Sequence, residues 1–433
     1  MNSNVHPVVV ALVMVLTFVA IGVWMWGSGE AASIGGPAEL RADRDGHFYL
    51  QIQNQLVEHD ADGKFLKTHD LADLGVELFL GGYGFFSNGD ILLRRGPDPR
   101  SFGDNFRAYQ RKSNQRSLSP ETPESGLFRC DLDTKTCTRF GKSGIDFKAA
   151  HGIFIDWRND DVYISDTTRH VLRKYTADGL ELAGPASGFR FPNQLLMDND
   201  RLFVADTNNH QVRIVDPRTA HFGEENQDIN VVPNAARRAG QTWPSHFARV
   251  GSEWWVNNMQ SSMVEGGIYI FDDNWQYDRK VSLPAGADPI SLLAFGNEVL
   301  VSDWNNDRIH RLSVTGEPLA DFESAGLEQI LADSRKARGQ FELIAYSGVA
   351  LLALVMGSLL ARALAVSVSP QAATGVTAET AEQASISDTP ILLEPDAVAI
   401  QKLAKAIRLS GWLVVVGGAI IGLIAYGAFR LMA

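Results

Sequence analysis

Two kinds of apolar stretch alternate with polar sequence along this chain. The first kind is long and uncharged. Residues 7–26, 343–361 and 409–429 each run for about the length needed to cross a bilayer. The second kind is short. Between Arg44 and Ser324, runs of four to six residues rich in Val, Ile, Tyr and Leu are separated by Gly, Asp and Asn. That rhythm predicts strands and turns, not helices. The pattern therefore predicts one β region with an apolar helix before it and two after it.

The β region repeats itself. "VADTNNHQVRIVD" (204–216) has counterparts in "YISDTTRHVLRKYTADG" (163–179) and "VLVSDWNNDRIHRLSVTG" (299–316). "WWVNNMQSSMVEGGIYIFDD" (254–273) is a looser copy. The anchor positions Asp166, Asp206, Asn258 and Asp303 are spaced by 40, 52 and 45 residues, a period typical of propeller and solenoid repeats. Working outward from the clear copies gives units over 44–71, 80–146, 147–188, 189–236, 237–286 and 287–324. Six units of roughly four strands around an axis would close a ring with only short, protected edges. The anchor carboxylates recur once per unit, so they are read as structural. A short carboxylate after a strand can accept backbone N–H bonds in the next bend. His170 and His210 share a bend position that Asp307 holds in the last unit, which marks a bend residue and not a metal set.

"FPNQLLMDNDRLFVADTNNHQVRIVDP" (191–217) resembles an NHL repeat: a Pro-led strand, an Asp closing the next strand, a polar bend, then a strand with Val or Ile and Arg. "AAHGIFIDWRNDDVYISDTTRHVLRKYTADG" and "ADPISLLAFGNEVLVSDWNNDRIHRLSVTGE" resemble it too. The likeness covers four units, about residues 147–324, and is weak in the two upstream units. It implies an all-β, NHL-like six-bladed β-propeller. It implies little chemistry, because relatives of that fold include ligand-binding domains, sensor ectodomains, RNA-binding modules, lactonase-like hydrolases and an amidating lyase.

The expected organisation is a tail (1–6), a first transmembrane helix (7–26), a linker (27–42) and the propeller (43–324). A linker (325–341), a second transmembrane helix (342–366) and a flexible linker (367–393) follow. An amphipathic helix then runs into a third transmembrane helix (394–430). The first span is read as retained: "MNSNVHP" before it lacks Lys and Arg, although "GEAAS" could pass as a cleavage site. Gly418 and Gly422 form a GxxxG helix-packing motif, which suits packing among the spans or an oligomer through them. No span carries an acid or base, which argues against a channel or pump.

Charge and cysteines bear on partners and on side. A net charge of -12 argues against nucleic acid, which needs a basic face. Residues 94–116 are the local exception, with seven Lys or Arg and two acidic residues. They read as a solvated insertion, or as a contact for an anionic partner or lipid headgroups. Cys130 and Cys137, in "LFRCDLDTKTCTRF", face each other across a short hairpin if its strands pair, which suits a disulfide and an oxidising compartment; the alternative is two unrelated thiols. The Lys and Arg tally near the spans leans slightly the other way, but large domains translocate largely regardless of charge. The expected placement is integral to the cytoplasmic membrane with the propeller on the periplasmic side. Reversed topology, with a cytosolic scaffold, is the alternative.

Candidate chemistry lies where innermost strands begin, at one mouth of the channel. His151, Asn193, Ser245, His246 and Asp288 fall there, with Tyr83 a looser match. Two His, an Asn and an Asp could ligate Ca or Zn, or act as base and acid, if they converged. Amidating-lyase relatives use three channel histidines and only two are found here; lactonase-like relatives use several acids, and Asp288 is the clear one. Polar residues at a wet mouth also need no reason beyond solvation. No cofactor is therefore expected, with a Ca or Zn ion as the exception to test. Trp243, Trp254 and Trp255 could line a groove or be core. "HDADGKF" (59–65) resembles a calcium loop but lacks its third acid and closing Glu, so it is read as a hairpin turn. The expected function is a membrane-anchored binding, scaffold or sensor-like propeller, engaging a protein partner or small ligand at its face. The alternative is a metal-dependent hydrolase or lyase.

Overall fold

The computed structural model describes residues 7–76, 79, 81–95, 126–141, 151–231, 242–260 and 265–367. The third apolar stretch, Gly418 and Gly422, the linker and helix expected beyond residue 367, and all of the basic insertion after Arg95 lie outside these residues. Gly35–Ser334 forms one compact unit, and the segments on either side of it form another.

The short apolar runs pair as antiparallel meanders. Among the described residues, strands β1–β23 fall into six sheets in chain order. Blade 1 holds β1–β4 (residues 37–70), blade 2 β5–β8 (84–139) and blade 3 β9–β12 (151–186). Blade 4 holds β13–β16 (192–229), blade 5 β17–β20 (243–280) and blade 6 the three strands β21–β23 (289–313). The protein is a six-bladed β-propeller. Closure is visible in the propeller core, whose described residues divide into six apolar clusters, one between each pair of neighbouring blades. Phe203, Ile214, Phe247 and Trp254 join blades 4 and 5; Leu50, Val57, Leu300 and Ile309 join blade 1 to blade 6. Burying one such side chain contributes roughly 1.5–3 kcal/mol, so the sheets are held mainly face to face.

Polar side chains tie the inner edges. The Thr167 hydroxyl donates to the Pro192 carbonyl at 2.7 Å, and Thr207 to the Pro244 carbonyl at 2.6 Å. Ser165 donates to the Asn193 carbonyl, and the Asn257 amide to the Pro289 carbonyl. The ring closes the same way. Ser302 donates to the Ala38 carbonyl, and the Leu40 N–H to Ser291 Oγ at 3.2 Å.

The anchor residues sit in the bends. Asp206 is fully buried; it accepts from the Arg190 N–H and from the Asn209 amide, both at 2.7 Å. Asp166 accepts from the Arg169 N–H at 3.0 Å and its guanidinium at 2.7 Å. Asp303 accepts from the Asp288 N–H at 3.0 Å and the Asn306 amide at 2.7 Å. The Asn258 amide donates to the Val231 carbonyl at 3.3 Å. His170, His210 and Asp307 share left-handed backbone, with φ of 63°, 61° and 51°, so the bend fixes a conformation more than a side chain. Asp60 accepts from the Asp62 and Lys64 N–H groups, which folds 59–65 as a hairpin turn between β3 and β4. Cys130 in β7 (Gly126–Asp131) is directly paired with Cys137 in β8 (Thr136–Arg139), and the two form a disulfide.

Two stretches expected as linkers are structured. Helix α1 runs Pro7–Ser33, past the end of its apolar stretch, and β1 occupies Pro37–Ala42. Trp26 Nε1 donates to Glu30 Oε1 one turn on, and Ser33 Oγ to the Glu30 carbonyl, which carries the helix through "GSGEAAS". Residues 325–341 open helix α2 (Ala325–Ser367); its charged first turns hide the helix from a hydropathy reading. Leu327 and Leu331 in those turns belong to the cluster between blades 1 and 6. Within the second unit, α1 meets the later part of α2 through small residues. A Cβ on Gly27 would lie 2.6 Å from Ala345 N, and one on Gly348 would lie 2.6 Å from Trp24 N. Both helices are long and apolar enough to cross a membrane, and Leu12, Phe18, Met25, Tyr346 and Leu360 on them are exposed.

Candidate functional site

The channel is framed by one inner strand from each blade: β1, β5 (Gly84–Phe85), β9 (His151–Asp156), β13 (Pro192–Asp198), β17 (Trp243–Val250) and β21 (Pro289–Phe295). Each inner strand starts at one mouth and ends in a hairpin at the other. His151, Asn193, Ser245, His246 and Asp288 lie in the starting halves of the inner strands of blades 3 to 6 or just before them, two of them on blade 5, and Tyr83 precedes β5 in blade 2.

His151 opens β9 opposite Asp166 and is buried. Its imidazole occupies the space that a Cβ on Gly81 would need, which explains the glycine and its φ of 81°. Asn193 donates to Thr207 Oγ1 at 2.6 Å and so belongs to the seam between blades 4 and 5. Ser245 accepts from the Asn257 amide at 2.9 Å. His246 has a buried Nδ1 without a hydrogen-bond partner; burial first, then the nearby Arg41 charge, pushes its pKa down to about 3. Asp288 is buried and its Oδ1 has no partner; burial, with Asp303 and Glu265 adding to it, pushes its pKa up to about 6. Tyr83 is fully buried and donates to the Glu39 and Tyr49 carbonyls at 3.1 and 3.0 Å.

Asn193, Ser245 and Tyr83 are thus committed to hydrogen bonds of the fold, while His246 and Asp288 each keep a buried atom without a partner. Among the described residues, no group of three or more His, Cys, Asp and Glu is placed to hold a metal ion. Of the tryptophans, Trp254 and Trp255 are core: Trp254 stacks on Trp275 at 4.6 Å, and Trp255 packs between blades 5 and 6. Trp243 stands edge-on to His210 at 5.0 Å.

The other end of the channel holds what the sequence did not suggest. A cavity of about 240 Å³ lies among the later residues of all six inner strands, with Leu40, Phe85, Ile155, Leu196, Phe247 and Leu292 among its walls. Its charged side chains are Arg41 and Arg249. Arg41 is ion-paired to the buried Glu39, whose carboxyl is pushed up by burial against the pull of Arg41. Arg41 lies in "PAELRA", a stretch read as linker. The signal that could have placed it is "RDGH" just beyond, a hairpin signature that requires a strand on both sides.

No family model and no curated protein matches the chain. Among solved structures, a catalytically inactive virginiamycin B lyase from Staphylococcus aureus with quinupristin is similar at 14% identity. The match covers 66% of this chain and 84% of that one, with a TM-score of 0.43. The extracellular domain of a hybrid two-component system from B. thetaiotaomicron is similar at 12% identity, covering 66% and 36%, with a TM-score of 0.41. A chain of a nidogen/laminin complex is similar at 12% identity, covering 67% and 95%, with a TM-score of 0.41. Likeness of this size leaves the blade count resting on the strand pairing of the chain itself.

Proposed function

We propose that this protein is a membrane-anchored, NHL-like propeller that binds a protein partner or small ligand on the outer face of the cytoplasmic membrane and performs no chemistry of its own. Apolar helices before and after the propeller support the anchor. The disulfide supports an oxidising side. The observation that carries the non-catalytic reading is the dispersal of the channel-mouth residues. Asn193 and Ser245 are held by hydrogen bonds of the fold, His151 packs against Gly81, and among the described residues no three His, Cys, Asp or Glu are placed to hold a metal ion. A metal site needs three or four ligands at one point.

Asp288 favours a second reading. A buried carboxyl with a pKa of about 6 and a free oxygen is suited to acid–base work, as in a lactonase-like hydrolase. Metal analysis of the purified full chain after equilibration with Zn and Ca separates the two. The binding reading expects less than one tightly held ion per chain, and a stable partner crosslinked to the propeller in cells. One ion per chain, lost in Asp288→Asn together with an esterase or lactonase activity, would establish the enzyme instead.

A further inference from the structure

The hairpin end of the channel has the makings of a small-molecule site. Strand register identifies equivalent positions on the six inner strands. Arg41 stands opposite Tyr49, Phe85 opposite Ile91, Phe154 opposite Tyr163, Leu196 opposite Phe203, Ala248 opposite Trp255 and Leu293 opposite Leu300. All six inner-strand residues line the cavity. Five are apolar and one is an arginine. A closed ring with no function at its centre would be expected to repeat the apolar residue a sixth time.

The arginine is incompletely satisfied. Arg41 gives Nη2 to Glu39, but its Nε is buried without a partner. The second cation, Arg249, lies over the Trp254 ring at 4.9 Å and pairs with the exposed Asp273, while its Nη1 is buried without a partner. A buried donor left unpaired is costly, and a hydrogen bond to a charged acceptor is worth more than one to a neutral group. Among the described residues, no acidic side chain lines the cavity. A volume of about 240 Å³ is below the usual range for drug-sized ligands, so the occupant is small.

We propose that this cavity binds a small carboxylate with an apolar body, its carboxylate at Arg41 and Arg249 and its body against the ring of Phe85, Phe154, Leu196 and Leu293. The inference rests on the reading of the propeller as a binding module and names the ligand class. The site lies toward the hairpin ends of the inner strands, away from His151 and Asp288 where their strands begin, and close enough to His246 for the Arg41 charge to act on that imidazole.

Calorimetry on the detergent-solubilised full chain tests it, with phenylacetate and hexanoate as probes. Phenylethanol, hexanol and inorganic phosphate are the controls. The expected result is saturable binding of the two carboxylates, with the alcohols and phosphate weaker by at least about tenfold, the size of one charge-assisted hydrogen bond. Arg41→Gln should weaken binding similarly. Because that change leaves Glu39 buried without its cation, two rim variants stand beside it: Arg249→Gln should also weaken the carboxylates, and Ala294→Trp, at an exposed lining position, should block them. Absence of binding to the folded wild type overturns the proposal. So does equal binding of alcohol and acid, or of phosphate and acid, or binding unaffected in both rim variants. Carboxylate binding without a crosslinked partner keeps this inference and removes the scaffold; a crosslinked partner without carboxylate binding does the reverse.

Discussion

Asp206→Ala is the sharpest test of how the blades are held. The Asp206 carboxylate is fully buried and accepts from the Arg190 N–H and the Asn209 amide at 2.7 Å each, with Arg213 at 3.3 Å. Hydrogen bonds to a charged group contribute about 1.5–3 kcal/mol each, so the two short ones sum to roughly 3–6 kcal/mol. Burial raises the pKa of this carboxyl despite those bonds, so part of that gain is offset by desolvation of the charge. Arg213 retains Asp228 at 2.9 Å and is not orphaned. The net loss for Asp206→Ala is therefore about 3 kcal/mol. Asp206→Asn, which keeps an acceptor for the Arg190 N–H, should cost about 1 kcal/mol. For a propeller of this size the alanine variant should melt roughly 5–9 °C lower. Differential scanning fluorimetry of the solubilised chain reads this directly, with urea unfolding to check that the slope is unchanged. A shift under about 2 °C for a folded alanine variant would refute the bend-anchoring role. Equal shifts for Ala and Asn would place the whole effect in the charge.

Four further outcomes follow from the same structure. Cys130→Ser with Cys137→Ser, which opens a loop of sequence separation 7, should cost about 2 kcal/mol; alkylation and mass measurement in intact cells should find the pair oxidised, and free thiols would remove the argument for an extracytoplasmic propeller. At His310, burial opposes the charge, but hydrogen bonds with Asp303 at 2.9 Å and Asp321 at 3.0 Å win and raise its pKa. A raised folded value means the stabilisation is full below about pH 6.5 and fades as pH climbs through the folded value, so His310→Gln should flatten the melting profile above about pH 6.5. His246 behaves oppositely: its folded value of about 3 makes stability fall as pH drops below about 6.5, and His246→Gln should reduce that slope, measured on the same pH series. Gly348→Leu puts atoms where Trp24 N lies 2.6 Å from a Cβ, so α1 and α2 should separate, read as loss of a crosslink between cysteines placed at Ala20 and Leu351.

Much of the ring was legible because its logic is local. Alternating short apolar runs and bend residues recur within each blade, and the anchor Asp is visible three times. Blades 1 and 2 were fainter for a stated reason. Ile52 pairs with Pro37 where Asp206 pairs with Pro192, and Arg94 lies two residues beyond Leu92, so neither blade carries the anchor carboxylate. Inner-strand register was harder. A bulge follows Pro192, Pro244 and Pro289, while His151 runs on into Gly152 without one. His151 therefore stands at the place the prolines hold in the other strands, while His246 lies two residues beyond its Pro. The cavity was not legible at all, because it depends on six residues from six blades meeting at one axis.

The ring's own mechanics explain why the two ends of the channel differ. At the starting mouth each inner strand must be tied to the blade before it, and small polar residues do the tying: Ser165 to Asn193, Thr207 to Pro244, Asn257 to Pro289, Ser302 to Ala38. These hydroxyls and amides are already committed, and a substrate or metal that took them would compete with the bonds that close the ring. At the hairpin end the seam is made by face-to-face apolar packing, which leaves the axis unfilled and one donor on each arginine, Arg41 Nε and Arg249 Nη1, unspent. A ligand there costs the ring no hydrogen bond. A propeller built on this pattern should therefore bind at its hairpin end, and residues such as Asn193 and Ser245, polar and channel-adjacent though they are, should prove replaceable for binding and costly for stability.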